Sequence, residues 1–302
     1  MRIAFKIHST TGNTKLVADY AAGWFRNQGQ RVSTRNIELN FGYEELDSAD
    51  LLVLACPTMY FRPTLVMEKF VQGLPSLPDG ERRPVFLLGT CMGEPGAHFP
   101  LLTEALEPKG WKTMGAHWVV CPSNYPTYRA LVKPLERISA VKPYLSRRPA
   151  FLRPLWWFLW PGEEPDESDR EELDSALRQL MHVLESHGMS TQPLRDHPVK
   201  VSRVGGFLGR RISSDMFDRI VRPRIDRARC ESCGLCVETC PAGIFSRSAV
   251  NEIFISGGGC TGCFACYNMC PNGAVSAMAT PAGKGMYKGP TESMKLLFTP
   301  PG

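Results

Sequence analysis

Eight of the chain's eleven cysteines fall between residues 230 and 270, in two copies of one pattern. The copies are Cys230-x2-Cys233-x2-Cys236-x3-Cys240-Pro241 and, thirty residues on, Cys260-x2-Cys263-x2-Cys266-x3-Cys270-Pro271. A segment this rich in sulfur is organised around what the sulfurs hold. Three thiolates two residues apart wrap a tight loop around three iron corners of a cubane, and the fourth, turned away by its proline, reaches the neighbouring cluster. The spacing therefore predicts two [4Fe-4S] clusters. One is held by Cys230, Cys233, Cys236 and Cys270, the other by Cys260, Cys263, Cys266 and Cys240. Small residues in the loops (Gly234, Gly262, Ala265) let backbone amides approach the sulfurs. Structural zinc uses paired C-x2-C units across a long gap and gives no reason for a third cysteine, a following proline or a duplication.

The rest of the chain bounds the context. Its 302 residues suit two compact domains. With 43% apolar and 22% charged residues the composition is that of a globular protein. A net charge of +5, without aromatics interleaved in a basic stripe, does not call for nucleic acid. The opening MRIAFKIHSTTGNTK lacks the apolar run of a secretory signal. Arg147-Arg148 lies too deep to be an export signal. No stretch reaches the roughly 18–20 apolar residues of a membrane span. Cysteines in an unexported chain favour metal or redox chemistry over disulfides. We expect a cytoplasmic protein, peripheral to a membrane at most.

Over residues 1–190 short apolar runs alternate with amphipathic stretches. Strands are expected at Ile3–Ile7, Val32–Ile37, Leu51–Ala55, Val85–Gly89 and Ala116–Cys121, and helices at Thr14–Gln28, Pro63–Gln72, Ala97–Leu106 and Asp169–His187. That alternation implies an α/β fold, a doubly wound five-stranded parallel sheet covered on both faces. Residues 191–224 read as a basic linker, 225–280 as a small α+β cluster domain, and 281–302 as a loosely held tail. An aromatic insertion occupies about 145–165.

A second site is expected at the carboxyl ends of the strands, where doubly wound sheets bind ligands. Ser9-Thr10-Thr11-Gly12-Asn13-Thr14 joins the first strand to the first helix. Backbone N–H groups, hydroxyls and the helix dipole make such a loop an anion site. It contains no Lys or Arg, which suits a monophosphate held by neutral donors more than a triphosphate; a helix cap by Thr11 or Asn13 is the alternative. Two further loops follow strands. In Pro57-Thr58-Met59-Tyr60-Phe61 the aromatics could stack on a flat ring. In Thr90-Cys91-Met92-Gly93 and the residues to Gly96, glycines let backbone approach a ligand edge.

On these motifs residues 230–270 resemble the two-cluster bacterial ferredoxins, with all eight cysteines and both prolines present. Residues 1–190 resemble the flavodoxins, whose FMN-phosphate loop matches Ser9-x-Thr11-Gly12-Asn13-Thr14. The whole chain resembles the flavodoxin–ferredoxin fusion proteins. The resemblance implies FMN at the three loops, a flavodoxin-like fold and a low-potential one-electron relay at the cysteines. The aromatic pair flanking the flavin has no residue-by-residue match here.

Other features carry open readings. His8 could neighbour the phosphate or pack beneath the loop. Cys56, Cys91 and Cys121 could serve redox chemistry or be small buried hydrophobes. The aromatic stretch 151–160 could be an interfacial anchor, a hydrophobic partner patch, a lid, or part of the core. Two functions follow. One is electron transfer between FMN and the clusters, to or from a redox partner protein. The alternative is direct reduction of a small organic substrate in a pocket rimmed by Tyr60, Cys91, Met92 and Tyr125, with Asn124 beside it.

Overall fold

The computed structural model describes residues 1–37, 41–131, 164–186, 192–199, 203–212, 216, 218, 221–278 and 280–300. The aromatic stretch 151–160 and its expected roles lie outside these residues. The chain divides into two compact units, each built from separated pieces of sequence.

The first unit comprises Met1–Cys121, Glu164–Arg211 and Pro290–Gly302. Its strands are β1 (Arg2–Ile7), β2 (Arg31–Asn36), β3 (Leu51–Pro57), β4 (Arg83–Cys91) and β5 (Trp111–Val120). All pair in parallel, in the order β2-β1-β3-β4-β5. This is the flavodoxin-like doubly wound order. Helices α1 (Asn13–Asn27), α2 (Leu65–Gly73) and α3 (His98–Leu106) form three of the crossovers.

The continuous apolar runs follow from burial on two faces. Ile3, Phe5, Ile7, Leu51, Val53, Phe86 and Leu88 pack on one face with α1 and the helix Glu167–Ser186. Their chain neighbours Ala4, Leu52, Leu54, Val85 and Leu87 pack on the other with α2 and α3. Fully burying each Leu, Ile or Phe contributes about 1.5–3 kcal/mol, so the register is strongly specified. The β2 edge is largely exposed and carries Arg31 and Arg35, which blunt it.

Two segments differ from the sequence expectation. Within the expected linker, residues 192–199 do not run free. Leu194 donates its N–H to Met114 O (2.6 Å) and Ala116 donates to His197 O (3.0 Å), so this stretch covers the open edge of β5. It then forms the helix Arg203–Arg211. The 281–302 tail is likewise not loose. Its helix Glu292–Leu297 returns to the first unit, where Met294 and Phe298 are fully buried in the α1 face of the core. Phe298 meets Tyr20 edge-on at 5.6 Å. Charge, Gly and Pro dominate the linker and the tail in sequence; a few apolar residues suffice to anchor them.

The second unit comprises Pro122–Glu163 and Ile212–Gly289. Residues 122–163, expected within the 1–190 domain, are thus grouped with the cysteine module. Two antiparallel pairs, Arg224–Ile225 with Val275–Ser276 and Phe245–Arg247 with Ile253–Ile255, frame it. The helices Leu235–Glu238 and Ala265–Met269 follow the two cysteine loops. Ile244, Phe245 and Ile253 are its small apolar core, with cysteines packed around them. Among the described residues no helix is long and apolar enough to cross a membrane.

Candidate functional site

The thirty-residue repeat in sequence is a repeat in backbone. Ser232 and Gly234 have φ of +55° and +88°; Gly262 and Phe264, at the same places in the second copy, have +65° and +57°. After each fourth cysteine the chain turns alike, Gly243 donating to Cys240 O and Gly273 to Cys270 O. These left-handed positions bend the two loops alike.

One pocket of the second unit is lined by Cys230, Cys233, Cys236 and Cys270, with Ile225, Ile253, Ala274 and Val275. That is the crossed set expected from the spacing: the fourth cysteine of the second copy closes the first loop. The Ala274 N–H donates to Cys270 Sγ at 3.2 Å. The Cys236 thiol is pushed up to about 11, first by burial and then by the charges of Cys230, Cys233 and Cys270. The other set is together too. Burial, and then Cys263 and Cys240, push the Cys260 thiol up to about 12. Cys266 is raised well above its ordinary value by burial and by Cys263, Cys260 and Cys240. Crowded thiols of this kind ionise only with compensating positive charge, which iron corners provide. All eight cysteines are free of disulfides. Among the described residues no three His, Cys, Asp or Glu side chains converge on a single metal ion; each cysteine set instead fits a cubane, whose iron corners take one thiolate each.

In the first unit the loops after β1, β3 and β4 lie side by side because those strands are neighbours in the sheet. A buried polar network ties them together. His8 Nδ1 meets Thr64 Oγ1 at 2.8 Å. Thr14 Oγ1 meets Thr90 Oγ1 at 2.7 Å. The His98 ring spans Thr58 Oγ1 (2.8 Å) and Cys56 Sγ (3.3 Å). The Thr58 N–H donates to Thr90 O at 2.8 Å. Burial holds His8 down to about 4 and His98 down to about 3, so both are neutral struts. Of the two readings of His8, the structure shows the packed one.

The network separates residues that face outward from those that shape the loops. Ser9, Thr10, Thr11, Gly12, Pro57, Thr58, Tyr60, Phe61, Met92 and Gly93 are all partly or fully exposed. Asn13, Thr14, Met59, Thr90 and Cys91 are buried. Gly12 occupies the N-cap of α1 with φ +103° and brings no capping side chain, while Ser9 Oγ accepts the Lys15 N–H. This backbone suits a phosphate: a helix N-terminus flanked by partly exposed hydroxyls. A Cβ on Gly12 would also stand 3.0 Å from Pro290 Cδ. Gly12→Ala should therefore destabilise the first unit by about 1–2 kcal/mol, the cost of a left-handed alanine. Urea unfolding checks this, and an unchanged midpoint would mean that the turn relaxes around the methyl group.

Tyr60 and Phe61 both adopt positive φ, +55° and +64°, in a tight turn closed by the Met59–Arg62 bridge. Bulky residues in this region are held against their preference, a device found at ligand clamps. The clamp here is visible. Arg62 forks onto Glu68 through bonds of 2.8 and 2.9 Å, and Phe61 O accepts the Ala97 N–H at 2.7 Å. Gly205 and Gly209 of the Arg203–Arg211 helix pack against Gly96 and Phe61. Arg62 ends the loop singled out in the sequence, but its partner Glu68, His98 and this helix carry no signal there.

Cys56 and Cys91 are pushed up to about 12 by burial, and Cys121 is raised well above its ordinary value. They are buried thiols, not nucleophiles. Asn124 and Tyr125, expected at the flavin pocket, are engaged within the second unit. Asn124 Nδ2 donates to Cys263 O at 3.5 Å, and Tyr125 packs edge-on to Phe264 at 5.3 Å.

Comparison with known proteins gives one family match and several structural likenesses. Residues 229–275 match the 4Fe-4S dicluster domain. The solved structures similar to the chain include a flavodoxin from the domain Archaea, with 20% identity, 41% of this chain and 87% of that chain covered, and a TM-score of 0.33. Megasphaera elsdenii flavodoxin in its two-electron reduced form shows 19% identity, 38% and 84% coverage, and 0.30. Bacillus cereus flavodoxin 1 shows 17%, 39% and 84%, and 0.32. No curated protein matches. The fold assignment rests on strand order and two-faced burial rather than on those scores. The chain thus joins a doubly wound unit with the flavodoxin strand order to a segment that matches the 4Fe-4S dicluster domain.

Proposed function

We propose that the protein is an electron carrier that passes electrons between FMN and two [4Fe-4S] clusters, and to or from a redox partner protein. The observation that carries this reading is the pocket in which Cys270 joins Cys230, Cys233 and Cys236 across forty residues of chain. FMN supplies a centre able to exchange two electrons, and the clusters supply one-electron steps. The chain's own residues bind and orient. Ser9–Thr14 would receive the phosphate, and Tyr60, Phe61, Met92 and Gly93 would border the ring. The eight cysteines hold the iron. Cys56, Cys91 and Cys121 are buried and take no part in this scheme.

Anaerobic reconstitution tests the reading. Purified protein should yield FMN and about eight irons per chain on release. Iron near zero with stoichiometric zinc would refute it, and turnover of a small organic acceptor without a partner protein would favour the substrate reductase instead.

A further inference from the structure

The two cysteine loops are copies in sequence and backbone, so the differences in what covers them are informative. The thirty-residue offset sets Gly234 against Phe264, and Arg247 against Ala277.

At the first loop the absent side chain of Gly234 makes room for the Arg247 guanidinium, which lies directly over it. Arg247 Nη1 donates to Ser232 O at 3.0 Å and to Asn251 Oδ1. Arg227 Nη1 donates to Ile253 O at 2.6 Å on the wall of the same pocket. Cys233 is exposed to water. Glu231, on the pocket rim, is the opposing charge there.

At the second loop Phe264 fills the equivalent position and is 4% exposed. Tyr125 packs on it, and the Tyr125 hydroxyl reaches Met278 Sδ at 2.9 Å. Cys263, the counterpart of Cys233, is buried. The charge bonded to a ligand residue of this loop is negative, Asp218 Oδ1 accepting the Cys260 N–H at 3.1 Å; the Arg222 guanidinium bonds Gly257 O, three residues earlier, at 3.0 Å.

We infer that Arg247 and Asp218 split the two cluster sites in potential, making the Cys230/Cys233/Cys236/Cys270 site the upper one, where an electron settles. This rests on the two-cluster reading. Adding an electron makes a site more negative. A guanidinium and open water favour that; an aromatic cover and a carboxylate oppose it. Neutral donors do not reverse the order. Backbone N–H groups reach sulfurs in both sets, as from Ala274 to Cys270 and from Gly262 to Cys260. The Thr261 hydroxyl adds one donor to Cys263, a neutral contact weaker than a full charge. The transfer balances simply. The second site loses one electron, the first gains it, and no proton or bond moves. The first site, open at Cys233, then hands that electron to an external one-electron carrier, which is reduced by one.

The test is an anaerobic redox titration of the full-length reconstituted protein, followed by EPR, with iron counted on every sample. The wild type should show two steps, with the first site at least tenfold more occupied at half reduction. Cys270→Ala should remove the upper step. Arg247→Gln should lower the upper step and leave the lower one in place, while Arg247→Lys, which keeps the charge but not the fork, stays near wild type. Asp218→Asn should raise the lower step alone. The inference is overturned if Cys270→Ala removes the lower step, or if Arg247→Gln leaves the upper step unmoved with eight irons bound. It is equally overturned if Arg247→Lys behaves as Arg247→Gln does, because the residue would then be a structural anchor. A wild type that binds no iron refutes the cluster reading itself.

Discussion

Replacing Cys270 by alanine should reduce the bound iron from about eight to about four per chain, and the cluster lost should be the one on the Cys230 loop. Cys270 lines the pocket with Cys230, Cys233 and Cys236, and its charge is felt at Cys236. Cys240 in turn is felt at Cys260, Cys263 and Cys266. A double variant separates this crossed arrangement from a local one. With crossing, Cys233→Ala combined with Cys270→Ala strikes a single cluster, so about four irons remain. If each loop closed on its own fourth cysteine, the same pair would strike both clusters and iron would approach zero. Iron and sulfide analysis after anaerobic reconstitution reads the outcome.

Phe298→Ala should destabilise the first unit by about 3–5 kcal/mol, the usual cost of deleting a buried phenylalanine. Phe298 is fully buried among Tyr20, Met294 and the helix Glu167–Ser186. The segment that carries it begins at Pro290, beside Gly12. Thr291 and Ser293 hold it further through hydroxyl bonds of 3.1 and 2.8 Å to Glu164. The variant should unfold at lower urea, read by far-UV circular dichroism, while its iron content stays at wild-type level. A midpoint unchanged from wild type would mean that the tail is dispensable. Loss of iron together with stability would mean that the two units do not fold separately.

The reach of the sequence is clearest at the cysteines. Eight sulfurs at fixed spacing leave few ways to close a cubane, and the repeated left-handed residues at 232, 234, 262 and 264 appear where the motif turns. The five strands were legible for a related reason. A strand buried on both faces needs an unbroken apolar run, and Leu51–Ala55 and Val85–Gly89 are such runs. Strand ends were less legible. β5 begins at Trp111, five residues before the apolar run Ala116–Cys121, because Lys112 and Thr113 interrupt the pattern although the backbone pairing with β4 continues.

What escaped the sequence was whatever depends on residues distant in the chain. Val, Leu and Ile periodicity and cysteine spacing are local codes, and they determined the doubly wound sheet and the two cysteine loops. Only the tertiary structure decided that residues 122–131 serve the cysteine module, where Asn124 bonds Cys263 and Thr127 meets Thr280. It also decided that Leu194–His197 closes the β5 edge and that Phe298 returns to the α1 core. Each is a long-range contact carried by a few side chains or backbone groups, too sparse to leave a periodic trace. The unlike covers of the two cysteine loops belong to the same class. Gly234 and Phe264 differ visibly in sequence, but that one admits Arg247 and the other receives Tyr125 depends on which distant side chains the fold brings to each loop.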